Sequence, residues 1–179
     1  MNKKKIRLLI EEAIQKQLIM NTYLCYSYYY SNLIPVAISN KLLLVINEDD
    51  FIFNGFQIVR LKDIQKVKIK DDICVDILKQ EGLFDNISMP MISMDSWKSI
   101  FTSLKNNGKN IIIEKESLDD SDFFIGKIKS VHKKQVIMRE FDANGVWNKE
   151  TTKIPYSAIT TIKFGSRYVD VFSKYLRKE

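Results

Sequence analysis

Cysteine, proline, glycine and histidine are all scarce here: 179 residues hold two, three, six and one of them respectively. Cys25 and Cys74 lie far apart and belong to no CxxC or Cys/His spacing, which excludes a disulfide framework and a zinc site and predicts two reduced thiols buried in the core. With so little Gly and Pro, long disordered linkers are excluded. His132 has no second His and no nearby Cys with which to complete a metal site or a nucleophilic pair, so it reads as a surface residue. No Walker loop, GxGxxG, GxSxG or HExxH occurs. The acidic clusters Glu48-Asp49-Asp50 and Asp119-Asp120-Asp122 lack the spacing of a calcium loop and read as turn residues. The expectation is a protein that is not an enzyme and has neither cofactor nor metal.

Long apolar runs are missing too. The opening stretch MNKKKIRLLIEEAIQKQ is interrupted by Glu11 and Glu12, too early for a signal peptide or a membrane span. A cytoplasmic protein without a membrane role is expected.

What is present is an ordinary globular composition, 45% hydrophobic and 28% charged, with a net charge of +6. The charge is uneven: residues 1 to 85 carry 12 basic and 11 acidic groups, and residues 86 to 179 carry 16 and 11. The length suits one domain or two small ones. A surplus held by the second half permits contact with phosphate or with acidic surfaces.

Helical and strand periodicities alternate in a repeated order. Ile6, Leu9, Ile10, Ala13 and Ile14 mark one helix face. Strand-like runs follow in TYLCYSYYYSN, IPVAIS, KLLLVIN, DFIFNGFQIVRL and IQKVKI. The segment DDICVDILKQEG then predicts a helix with Ile73 and Ile77 inward and Gly82 as its stop. In the second half Trp97, Ile100, Phe101 and Leu104 mark a helix capped by Ser96 or Asp95. Strands are predicted in NIIIEKE, FFIGKIKSV, QVIMREF, VWNKETTKIPY and AITTIKF. A last helix opens at Ser166 with Tyr168, Val171, Phe172, Tyr175 and Leu176 on one face.

Residues 61 to 69 and 156 to 164 align without a gap, placing Leu61 on Tyr156, Ile64 on Ile159, Val67 on Ile162 and Ile69 on Phe164. Asn54-Gly55 and Asn144-Gly145 are predicted as matching hairpin turns between third and fourth strands. The chain thus reads as one fold written twice: residues 1–84, an apolar connector at 85–95 expected to pack against the units, and residues 96–179.

A helix followed by five short strands resembles the Sm-like plan. FFIGKIKSV with QVIM is similar to the first Sm motif through Gly126, Ile128, Val136, Ile137 and Met138, and IPYSAITTIKF resembles the second motif in its Hfq form. The resemblance covers residues 96 to 164, and more loosely 6 to 69. It implies a mainly β fold with flanking helices, built as two tandem Sm-like, SH3-type five-stranded barrels, each with an N-terminal and a C-terminal helix. Where Hfq-type proteins carry an RNA-gripping Lys-His pair, Tyr156 and Ser157 stand, and Val131, His132, Lys133 and Lys134 occupy the place of the usual loop Asp. FQIVRLKDIQKV looks like the arginine-bearing segment of WYL domains, Sm-like barrels that act as regulatory ligand binders, although Leu42, Leu43 and Leu44 replace the name-giving triplet.

Three functions are therefore expected in order. The first is a binding module for a protein partner or for further copies of itself. The second is an RNA or single-stranded nucleic-acid binder that uses Lys127, Lys129, Lys133, Lys134 and Tyr156. The third is a WYL-like ligand sensor built on Arg60. The tyrosine run at 23 to 30 reads as packing, with Tyr26, Tyr28 and Tyr30 on one strand face, or alternatively as a base-stacking platform.

Overall fold

The apolar stripe of the first segment folds as α1 (Lys3–Lys16), whose Ile6, Ile10 and Ala13 are buried. Asn2 caps it by accepting the Lys4 amide at 2.8 Å. The computed structural model describes residues 1–85 and 87–177; over these the protein is mainly β. The chain forms two compact units, Met1–Pro90 and Met91–Glu179.

In the first unit α1 is followed by β1 (Met20–Leu24), β2 (Tyr30–Ile38), β3 (Leu42–Asp49), β4 (Ile52–Arg60), β5 (Ile64–Ile69) and α2 (Ile73–Gln80). All neighbouring strands run antiparallel, in the order β5-β1-β2-β3-β4. One face of the sheet packs on α1 through Met20, Leu33, Leu43, Val45, Val59, Ile64 and Val67. A second cluster joins Ile19, Ile34 and Ile46 to Val75 and Leu78, with Leu83, Phe84 and Ile87 packed against it. Of the connector at 85–95, Ile87 packs against this cluster, while Met89 and Met91 stay exposed.

The second unit contains α3 (Trp97–Asn106), β6 (Ile111–Glu116), β7 (Ser121–Val131), β8 (Gln135–Glu140), β9 (Thr152–Pro155), β10 (Thr161–Phe164) and α4 (Arg167–Phe172). Its order is β10-β6-β7-β8-β9, again antiparallel. Ser96 and Ser99 form a reciprocal capping box for α3, whose Ile100, Phe101 and Leu104 are buried.

The ungapped match of residues 61–69 with 156–164 recurs in space. Leu61–Asp63 is a 3-10 turn, and Tyr156–Ala158 is a turn at the same point of the second unit. Ile64 and Ile159 are both wholly buried. The strand that follows pairs back onto its own unit's first strand in each case. Only the last four residues of YSAITTIKF are strand, since Tyr156 to Ala158 reverse the chain. Among the described residues β4 does not pair with β5, nor β9 with β10, so each five-strand ladder is open.

Four local expectations need correction. The tyrosine run is not one strand: the chain turns between Leu24 and Tyr30, so alternation fails, leaving Tyr26 buried but Tyr28, Tyr29 and Tyr30 exposed. Asn54-Gly55 is not the β3–β4 turn. That turn is Asp50-Phe51, both at positive φ (47° and 63°), and Gly55 sits inside β4 where the register slips between Ile46 and Glu48. On α2, Val75 and Leu78 face inward while Ile73 is 73% exposed, because a helix of eight residues buries one short stripe. The last helix has six residues before tightening at Ser173–Tyr175, and it buries Val169 rather than Tyr168 or Tyr175.

The cysteines also differ from expectation: Cys25 is exposed and Cys74 half-buried, both as free thiols. The reason for Cys25 is the same turn, which takes it off the strand. No helix among the described residues is long and apolar enough to cross a membrane.

Gly126 sets the path of β7. Its φ is 156°, and a Cβ there would lie 2.1 Å from the Arg139 carbonyl oxygen and 2.8 Å from Glu140 Cα. Both obstacles are backbone and cannot swing aside. Gly126→Ala should therefore cost ~3 kcal/mol or more, read as a shift of the denaturation midpoint; a variant as stable as the parent would refute this account of the close strand approach.

Candidate nucleic-acid interface

Alternation along β7 buries Ile128 and turns Lys127 and Lys129 outward. The β7–β8 register sets Lys127 directly opposite Arg139, and it slips between Ile128 and Ser130, leaving Lys129 as the extra residue. Like charges facing each other across a ladder destabilise it. Trp147 offsets part of that cost, since Lys127 Nζ and Arg139 Cζ each lie 5.6 Å from its ring centroid. Arg139 is further held by donating its Nε–H to the Asn148 carbonyl at 3.0 Å.

Trp147 is placed by the core beneath it. It pairs with Phe141 as an isolated bridge, meets that ring edge to face at 5.3 Å, and Phe141 in turn stacks on Phe172 of α4 at 5.2 Å. Phe141 and Val169 are buried with Ile112 and Ile125, and Trp147, Phe172 and Leu176 pack around them. The intervening loop is tied by Asp142, whose Oδ1 accepts the amides of Asn144 and Val146, both at 2.9 Å. These bonds, aided by the Arg177 charge, hold its carboxyl below the usual range. Gly145 has φ 73°, and its carbonyl accepts the Arg177 amide at 2.9 Å. The Asn-Gly turn thereby brings the chain's last described residue, Arg177, to the same place as β7.

The result is a cleft of about 410 Å³ lined by Lys127, Lys129, Arg139, Trp147, Ser173, Leu176 and Arg177. Among the described residues no carboxylate forms an ion pair with Lys127, Lys129 or Arg177. Lys127 and Arg139 at the indole, with Lys129 and Arg177 lining the same cleft, make a surface suited to phosphates in series.

Of the residues expected from sequence, Lys127 and Lys129 come together in this cleft. Lys133 and Lys134 are exposed in the β7–β8 turn and are not among its lining residues. Tyr156 is not a stacking surface. It is only 9% exposed, its ring stacks on Phe101 at 5.5 Å, its hydroxyl donates to the His132 carbonyl at 2.8 Å, and burial pushes its phenol up. Arg60 pairs through Nε with Asp63, and the two side chains are 16% and 7% exposed. This buried pair holds the turn between β4 and β5, not an open ligand pocket.

Arg139, Trp147 and Arg177 were not singled out from sequence. The signal available for Trp147 was its position just after Asn144-Gly145; Arg139 depends on ladder register and Arg177 on a loop clasp, neither of which has a sequence pattern. Elsewhere in the unit, Glu114 is buried enough that its carboxyl is pushed up, an effect opposed by Lys163 at 2.8 Å. Its neighbour Glu116 accepts from Thr160 and Thr161. No group of three or more His, Cys, Asp or Glu among the described residues is arranged to hold a metal. Comparison with known proteins finds no matching family, no matching curated protein and no matching solved structure.

A Cβ on Gly145 would approach the Tyr175 carbonyl oxygen to 3.2 Å, and its positive φ disfavours any side chain. Gly145→Ala should lower stability by about 1–2 kcal/mol, and should speed hydrogen exchange at the Arg177 amide. Unchanged exchange there would show that the loop does not clasp the C-terminal segment.

Proposed function

We propose that this chain is a non-enzymatic nucleic-acid-binding protein that holds single-stranded RNA or DNA in the Lys127–Trp147 cleft of its second unit. The observation that carries the reading is the facing pair Lys127 and Arg139 on Trp147, which sets two cations side by side against one aromatic ring at the cleft. Lys129 and Arg177 extend the same sign along the cleft, and the unit's basic surplus supplies the long-range attraction.

We further read each unit as an Sm-like barrel. The strand order 5-1-2-3-4 in both units, the leading helix, and a glycine demanded by close approach within the second strand of the second unit support that reading. On this reading the buried Tyr156 corresponds to the Hfq-type position, and it is not among the residues that line the cleft. A cytoplasmic protein without a membrane role fits the same picture.

A second reading, docking of a protein partner or a second copy, is favoured by the exposed aromatic end of the first unit, where Tyr28 and Tyr29 are 78% and 83% exposed. Pairing through the β9 edge is disfavoured, since β9 is four residues long and carries Lys153 and Pro155. A solution mass that rises with concentration, and falls back when Tyr28 and Tyr29 become Ser, would support a second copy on this surface; a constant monomer mass would remove it.

The nucleic-acid reading is tested by fluorescence anisotropy with labelled single-stranded RNA across a salt series. Neutralising about four phosphates should give a slope of log K against log salt near −3. Lys127→Glu should weaken binding at least about tenfold while leaving stability equal or slightly higher, because it turns a like-charge pair into an attractive one. Absence of any anisotropy change at low salt would overturn the proposal.

A further inference from the structure

Lys127, Ser173 and Leu176 have cleft on both sides. Besides the Trp147 cleft they line a second one of about 430 Å³, completed by Gly108, Lys109, Asn110, Asp170 and Lys174. Its chemistry differs from the first. Lys109, Lys127 and Lys174 suit a phosphate, yet a carboxylate and an amide stand among them.

Neither acceptor is used up by the protein. Asn110 is 5% exposed, and its Nδ2 donates to Ser173 Oγ at 2.8 Å while Oδ1 has no partner. The amide cannot simply be turned over, because Ser173 gives its only hydroxyl hydrogen to the Val169 carbonyl at 2.6 Å and so must accept from Asn110. A buried acceptor left unsatisfied is destabilising, and a donor from a bound molecule would relieve it. Asp170 is half-buried, and among the described residues its carboxylate makes no ion pair.

A carboxylate beside a phosphate site repels a ligand that offers only acceptors. It favours one that brings hydroxyl or amine hydrogens along with its phosphate. In a single strand held by the neighbouring cleft, the group that meets this requirement independently of base sequence is the ribose 2′-hydroxyl. We infer that the Asn110–Asp170 cleft reads that hydroxyl, so that the groove selects ribose over deoxyribose strands. The inference rests on the nucleic-acid reading above and adds to it a sugar preference.

The test uses the full chain with labelled ten-residue oligouridylate and oligodeoxyuridylate, which share a base and differ in the 2′ position. The ribose strand should bind about three- to tenfold tighter, the worth of one net hydrogen bond. Asp170→Ala removes a negative charge and should strengthen binding of both strands. The ratio of their affinities should nevertheless fall toward one, a change that charge alone does not produce. Asn110→Ala should reduce the ratio as well, with thermal melting used to confirm folding. Equal affinities in the parent protein, or a ratio untouched by Asp170→Ala, would overturn the sugar preference and leave single-strand binding standing. Failure of both strands to bind would overturn both.

Discussion

The close approach of β7 to β8 at Gly126 is the constraint on which the basic surface depends. Gly126 lies opposite Glu140, with the Arg139 carbonyl where a side chain would have to be. With the two backbones in that contact, the next rung of the ladder must place Lys127 against Arg139. The feature that looks electrostatically unfavourable is thus enforced by backbone packing, and the indole of Trp147 makes it tolerable.

The aromatic cluster under the cleft supplies rigidity that charged side chains lack. Phe141 links β8 to α4 through Phe172 and holds Trp147 at its edge, so lysines with several free rotors act from a fixed platform. The Asn-Gly turn adds a covalently distant cation by bonding to the backbone of Arg177. The site is assembled from three separate segments, a central ladder, a long hairpin and the C-terminal stretch. The corresponding hairpin of the first unit is a tight turn at Asp50-Phe51, with no equivalent of Trp147.

Much of the scaffold could be read from residue patterns, because those patterns report local geometry. The stripe from Ile6 to Ile14 is α1, Ser96 caps α3, and the apolar spacing shared by residues 61–69 and 156–164 marks two equivalent fifth strands. The misreadings arose where two local rules compete. Tyr28 to Tyr30 have strand propensity but follow a chain reversal. Asn54-Gly55 has turn chemistry but lies in a strand, where the same positive φ makes a bulge instead. Tyr156 looks like a polar aromatic for a surface and is drawn into the core by Phe101, with its hydroxyl satisfied at the His132 carbonyl.

The amino-acid order alone determined the mainly β character, the positions of most helices and strands, and the outward facing of Lys127 and Lys129, since each follows from periodicities of two or 3.6 residues. Only the folded chain decided that Arg139, Trp147 and Arg177 would join them and that Lys133, Lys134, Tyr156 and Arg60 would not. Those outcomes depend on ladder register, a bulge and a loop clasp. Each is a relation between segments, of neighbouring strands for register and bulge and of residues 145 and 177 for the clasp, and neither propensity nor spacing within a segment carries it.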